Sequence, residues 1–171
     1  MQKVRGVARA AGMFAIVLVV ASCANMQGSV LKPSGNVAQT LASIGTFKNF
    51  LAAAKATGMM ATLEGKGPIA VFAPTDGAFS RLPKGSFQSL MRPENRAKLR
   101  ALVANHILKG KLTTADVLNG RRPVSTMAGR VIEVNGIDPD KGIFFGPAKV
   151  TKPDIDATNG TIHVIDRVVL P

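Results

Sequence analysis

Apolar residues at Leu41, Ile44, Phe47, Leu51 and Ala54 recur at three- and four-residue steps, the spacing of one helix face. Gly45 and Thr46 interrupt that stripe, Gly45 as a helix stop and Thr46 as the N-cap of a second helix reaching about Thr57. Gly65, Gly67 and Pro68 then punctuate the chain before Ile69-Ala70-Val71-Phe72, a short unbroken apolar run that reads as a buried strand. Pro74 has no N–H to give to a ladder, so the strand ends at Ala73. Thr75 or Asp76 can cap a short helix that carries Ala78 and Phe79 onto the core. Pro93 suits the first position of a further helix whose face is Leu99, Leu102, Val103 and Ile107. Gly110 stops it, and Thr113 to Leu118 suit one more turn.

After that point the period changes. Val131, Ile132 and Val134, then Ile143-Phe144-Phe145, Ala148-Lys149-Val150 and the run from Thr161 to Leu170 are β-type segments. Asn135-Gly136, Asp138 to Gly142 and Asn159-Gly160 separate them with turn chemistry, Asn159-Gly160 as a positive-φ turn launching the closing strand. Along that strand Ile162 and Val164 take one side, and Thr161, His163 and Ile165 the other. Helices first and a meander of strands afterwards predict an α+β fold, an N-terminal helical layer packed on a C-terminal sheet. At 171 residues a single domain with a real core is expected.

The first residues have another purpose. Lys3, Arg5 and Arg9 precede an apolar run from Ala10 to Ala21, the n-region and h-region of a signal peptide over residues 1–22. The run falls short of the roughly 20 apolar residues a membrane-spanning helix needs. Val20-Ala21-Ser22-Cys23 resembles the lipobox of bacterial lipoproteins. That resemblance implies cleavage before Cys23, a diacylglyceryl thioether on its thiol, and acylation of the new amino group. Ala24 rather than Asp after the cysteine would favour the outer membrane in a Gram-negative source. The simpler alternative is a soluble secreted or periplasmic protein cut at Ser22-Cys23-Ala24. Residues 23–35, rich in Gly, Ser and Pro, read as a flexible tether holding the domain about 20 Å from its anchor. The folded unit is then residues 36–171.

Within it, Gly67-Pro68-Ile69-Ala70-Val71-Phe72-Ala73-Pro74-Thr75-Asp76-Gly77-Ala78-Phe79 closely resembles the first signature of the fasciclin-like domain family. The stretch from Asn159 to Pro171, Asn-Gly-Thr-Ile-His-Val-Ile-Asp-Arg-Val-Val-Leu-Pro, resembles the second. Asn105-His106, Gly110, the turn Thr126 to Gly129 and Asp154-Ile155-Asp156-Ala157 fall between them where counterparts are expected. The resemblance spans effectively the whole mature domain. It implies an α+β wedge and a role in adhesion or in binding a protein or glycan. Many such domains carry Tyr-His at the end of the central helix, a pair linked in some animal members to integrin-dependent adhesion. Here the pair is Asn105-His106 and the chain has no Tyr, so integrin binding is not carried over. His106 reads first as a satisfied structural histidine facing a neighbouring loop, and second as a ligand or switch.

Catalytic readings find little support. No Gly-x-Ser-x-Gly is present, and Cys23, the one cysteine, is used for targeting. His106 and His163 stand far apart with no partner set for zinc. Asp138-Pro139-Asp140-Lys141-Gly142 places its Gly one position early for a calcium loop and ends on Lys149 where a bidentate Glu belongs. Asp154 and Asp156 alternate on an extended segment without a third carboxylate. No Gly-rich phosphate loop follows a strand. An enzyme is not expected, nor any cofactor or metal.

Charge is what the resemblance leaves unexplained. The net charge of +12 becomes +9 once the leader, with Lys3, Arg5 and Arg9 and no acid, is removed. From Arg81 to Arg122 ten basic residues face only Glu94 and Asp116, and Arg92, Arg96 and Arg100 recur every four residues along what reads as one helical edge. A solvated face is one reading. The functional one is a patch for an anionic partner: an acidic envelope protein, a glycan or an anionic lipid surface. Export rather than charge argues against nucleic acid. The expected function is a lipid-anchored adhesion or interaction module of the cell envelope. The alternative is an extracytoplasmic carrier of a small apolar or anionic ligand held between helices and strands.

Overall fold

The computed structural model describes residues 35–118, 120–136 and 142–170. The leader, Cys23, nearly all of the tether and most of the Asp138–Gly142 turn lie outside the described residues.

Helix α1 (Val37–Ile44) starts with a reciprocal capping box between Asn36 and Gln39 and ends at Gly45, which takes the left-handed conformation at φ 78°. Helix α2 spans Lys48–Ala56, with Phe47 rather than Thr46 at its N-cap and no cap from its own chain neighbours. Asp76 does that work from 27 and 28 residues away. Its carboxylate accepts the N–H of Asn49 at 2.8 Å and of Lys48 at 3.3 Å, while its own N–H donates to the Thr46 carbonyl at 2.9 Å. A carboxylate suits the positive end of a helix dipole better than a hydroxyl does, so the distant residue wins. Helix α3 (Met60–Glu64) and strand β1 (Ile69–Pro74) follow, then α4 (Asp76–Ser80), which Thr75 caps through the N–H of Ala78. The neighbours Thr75 and Asp76 therefore cap two different helices.

Helix α5 (Ser86–Leu90) leads through a 3-10 turn (Pro93–Asn95) into α6 (Arg96–Asn105). Ile107, expected on that helix, instead opens strand β2 (Ile107–Lys109), because β1 offers it an antiparallel partner at Val71. After α7 (Thr114–Val117) come β3 (Arg121–Ser125), β4 (Val131–Asn135), β5 (Phe144–Phe145), β6 (Ala148–Ala157) and β7 (Gly160–Ile165). The closing strand thus stops at Ile165, short of Leu170.

The strand order is β2-β1-β7-β6-β5-β4-β3. From β4 to β7 it is the antiparallel meander that alternating segments and short turns predict, and β3, not expected from the sequence, extends it antiparallel to β4. Strand β1, however, pairs parallel with β7, from Ile69 opposite Gly160 to Pro74 opposite Ile165. The two end strands then meet. Leu108 bridges Thr126, and the N–H of Met127 donates to the Ile107 carbonyl at 2.8 Å, so the sheet curls towards closure.

Both faces of the central strands are buried, which is why β1 and β7 read as apolar runs without full alternation. Ile69, Val71, Ala73, Ile162 and Val164 pack under the helices against Leu41, Phe50 and Leu102. Ala70, Phe72 and Ile165 point into the curl against Val134, Phe145 and Val150. There the rings of Phe72 and Phe145 stack with centroids 4.0 Å apart.

The Asn159-Gly160 pair is not a positive-φ turn, since neither residue is among those with positive φ. Gly160 is needed for close approach: a Cβ there would overlap the Ile69 carbonyl. The Asn159 side chain accepts the N–H of Val37 at 2.8 Å and donates to the carbonyls of Leu63 and Gly65 at 2.9 and 2.6 Å. One amide thereby ties the start of α1 and the end of α3 to the β6–β7 turn.

Candidate functional site

Arg92, Arg96 and Arg100 are all exposed, but they do not share one helical edge. Arg92 is extended (φ −67°, ψ 146°) and lies before the 3-10 turn. The reason is local: it precedes Pro93, whose ring disfavours helical backbone at the residue before it. Arg96 and Arg100 do lie together on α6, about 40° apart around the helix axis at 100° per residue. Lys98 falls about 200° round from Arg96, on the opposite flank. That flank faces α5.

Between α5 and α6 runs a solvent-open groove of about 580 Å³. Leu82, Lys84, Leu90, Asn95, Lys98 and Leu170 are among its walls, and Leu170 is 52% exposed. The groove exists because α5 meets the core only through half-buried side chains such as Phe87 and Leu90. None of its residues is fully buried. It is held by Phe87 edge-on to Phe79 with centroids 4.9 Å apart, and by the Asn95 amide donating to the Ser89 carbonyl at 2.8 Å. A smaller hollow of about 230 Å³ lies on the other side of the same loop, again lined by Leu82, Pro83 and Lys84.

Charge on this face is uncompensated because carboxylates are committed elsewhere. Asp76 caps α2, and Asp116 accepts both the N–H and the hydroxyl of Thr113 at 2.8 Å. Those bonds, before its ion pair with Arg122, hold the Asp116 carboxyl below its usual range. Asp154 accepts the N–H of Thr114, and Asp156 pairs with Lys111 at 3.2 Å. Asp166 pairs with Arg81 at 2.8 Å and accepts the N–H of Lys149; Glu133 meets Arg121 at 3.5 Å. Among the described residues, Lys84, Arg92, Arg96, Lys98 and Arg100 have no carboxylate within 4.0 Å, and Glu94 is the one acid in their stretch.

His106 is fully buried and stands apart from those cations. Its Nε2 accepts the N–H of Val169 at 3.1 Å, so the ring proton sits on Nδ1, which donates to the Leu102 carbonyl at 2.7 Å. Phe50 lies edge-on at 6.1 Å. Burial pushes its pKa down to about 4, partly opposed by the Leu102 carbonyl. His163 repeats the arrangement on the other side of the sheet. Nε2 donates to the Leu112 carbonyl at 2.8 Å, Nδ1 accepts the N–H of Asp154 at 3.3 Å, and the ring stacks on Phe72 at 4.9 Å. Burial again lowers its pKa, with the Leu112 bond and the Asp154 charge opposing. A bulge in β6 makes that contact possible, where Asp154 adopts φ 53°. Both imidazoles are neutral cross-braces between segments distant in sequence, with both nitrogens used by backbone. Asn105 is likewise buried, its side-chain oxygen 3.4 Å from the Thr126 hydroxyl. Among the described residues, no group of three or more His, Cys, Asp and Glu side chains is placed to hold a metal ion.

A second cleft, about 480 Å³, opens where β2 and β3 diverge, with Lys109, Lys111 and Arg122 on its walls. Pro123 sits on that outer edge. The bonds Thr126 N–H to Arg130 and Gly136 N–H to Gly120 turn the even-numbered residues of β3 towards β4, so Pro123 offers no donor outward.

The Fasciclin domain model matches residues 45–171. Two proteins of a Synechocystis strain are similar over most of the chain. Protein sll1483 is 41% identical over 126 residues, covering 74% of this chain and 68% of its own length. Protein sll1735 is 36% identical over 135 residues, covering 79% and 97%. Among solved structures, the FAS1 domain pair of the insect cell adhesion molecule fasciclin I superposes with a TM-score of 0.58 at 21% identity. The match covers 74% of this chain and 46% of that one.

Proposed function

The chain belongs to the fasciclin domain family, and on that premise we propose that it is a non-catalytic interaction module of the cell envelope. Its exposed cations on and before α6 recognise an anionic partner. Fasciclin domains occur in cell adhesion proteins, fasciclin I among them, which supports an adhesive role. In this reading the leader exports the chain and Cys23 carries a lipid that keeps it at a membrane surface. Several acyl chains, at about 0.8 kcal/mol per buried CH₂, make such an anchor effectively permanent.

One observation carries the proposal: among the described residues the five cations of residues 84–100 have no ion-pair partner, and Glu94 is the one acid in that stretch. Leu41, Phe50, Leu102 and Ile162 pack between helices and sheet, which favours an interaction module over a carrier.

The test is binding to immobilised dextran sulfate, with neutral dextran as control. Replacing Arg92, Arg96 and Arg100 together by Gln should weaken binding several-fold at low salt and matter little at high salt, since exposed charges are screened within about 8 Å at physiological ionic strength. Thermal stability should hold or rise slightly. Equal binding by both proteins across the salt series would leave these arginines a solvated face.

A further inference from the structure

The groove between α5 and α6 lies on the other flank of α6 from Arg96 and Arg100, and its chemistry differs from theirs. We infer that it binds a single-chain anionic amphiphile, a long-chain carboxylate, with the head group between Lys84 and Lys98 and the tail along Leu82, Leu90 and Leu170. Its volume of about 580 Å³ falls within the roughly 300–1,000 Å³ typical of small-ligand sites. No acid is among its lining residues, and neither lysine has a carboxylate partner among the described residues. Lys84 on the α4–α5 connection and Lys98 on α6 both line the groove and supply the positive charge that an anionic head needs.

The apolar part of the site points the same way. Leu82 and Leu90 are half-buried against the core, and Leu170 completes the strip although half its surface is exposed to solvent. Leu170 is held there on both sides: the N–H of Val169 is bound by His106, and the Leu170 carbonyl accepts from Arg130 at 3.3 Å. An exposed leucine fixed in place beside two lysines that have no ion-pair partner among the described residues is an aliphatic surface prepared for a partner. No aromatic ring lines the groove, so a sugar or a base has nothing to stack on, whereas a hydrocarbon chain needs none. With no fully buried residue in α5, and a second hollow behind its leading loop, this wall can yield to a longer chain.

The chain has neither Trp nor Tyr, so Leu170→Trp in the full-length protein gives a fluorescent reporter free of background. Oleate, added below its self-association concentration, should shift the emission to the blue and saturate at one equivalent. Lys84→Gln with Lys98→Gln should weaken it by about tenfold, the loss of charge-assisted contacts to one head group. Oleyl alcohol should bind at least as weakly. The Arg92, Arg96 and Arg100 triple variant should take oleate unchanged even where it loses dextran sulfate, which separates this site from the cationic face above. Oleate and oleyl alcohol binding alike, or the lysine variant binding oleate as tightly as the parent, would overturn the inference. So would a response confined to phosphatidylglycerol vesicles or to an acidic amphipathic peptide, since each names a different occupant.

Discussion

At the scale of single residues, the two histidines do the least visible and most consequential work. Each is neutral, buried and bonded through both nitrogens to backbone, so each accepts where only an unprotonated nitrogen can. Protonation of His106 would set its Nε2 proton against the N–H of Val169. Its folded pKa of about 4 lies below the unfolded value of 6.5, so between them the unfolded chain holds a proton that the folded chain refuses. Stability is therefore full above pH about 6.5 and falls as pH drops, with the loss complete below about 4. At 1.36 kcal/mol per pH unit this amounts to about 3 kcal/mol, and His163 adds loss of the same sign. Denaturant unfolding followed by circular dichroism from neutral pH to about pH 4 should show the decline, and a His106→Gln chain should show a shallower one. A flat profile would mean the imidazole is accessible to protons in the folded state.

Among the elements, α2 owes its start to a residue on the far side of β1. Asp76→Ala should cost about 1–2 kcal/mol, the usual range for a lost N-cap. Asp76→Asn keeps an acceptor but drops the charge, and should cost less than about 1 kcal/mol. Equal losses from the two would show that the carboxylate acts by charge alone. The same dependence on neighbours explains α5 and β3. A five-residue helix without a buried residue carries too short a stripe to detect, and β3 is an exposed edge containing Arg121, Arg122 and Pro123, a composition that reads as loop. The groove was invisible for this reason: Lys84 and Lys98 are plain in the chain, but the gap between them depends on where α5 comes to rest.

For the molecule as a whole, the parallel pairing of β1 with β7 joins segments some ninety residues apart and brings both family signatures into one pair of adjacent strands. On the proposed anchoring, the lipid sits at Cys23, outside the residues 45–171 that the fasciclin family model matches. A Cys23→Ser chain should lose membrane retention in detergent phase partitioning while unfolding at the same temperature as the parent. An unchanged membrane fraction would remove the lipid anchor from the proposal.

The chain by itself determined a good deal: the α+β order, the apolar face of α6, the buried runs of β1 and β7, the two-sided closing strand, the fasciclin signatures and the excess of cations. Each of these rests on local period, turn composition or charge, which are properties of neighbours in sequence. Tertiary structure alone decided that Asp76 caps α2, that Ile107 leaves its helix for β2, and that Gly160 serves close approach rather than a turn. In each of these cases a backbone group was satisfied, or a side chain packed, by a partner far along the chain. Arg92 left the arginine edge for a local reason, one adjacent proline, and Lys98 lies on another flank by helix periodicity. Hydrogen-bond demand and close packing are settled in three dimensions, where residues 27 or 91 positions apart become neighbours.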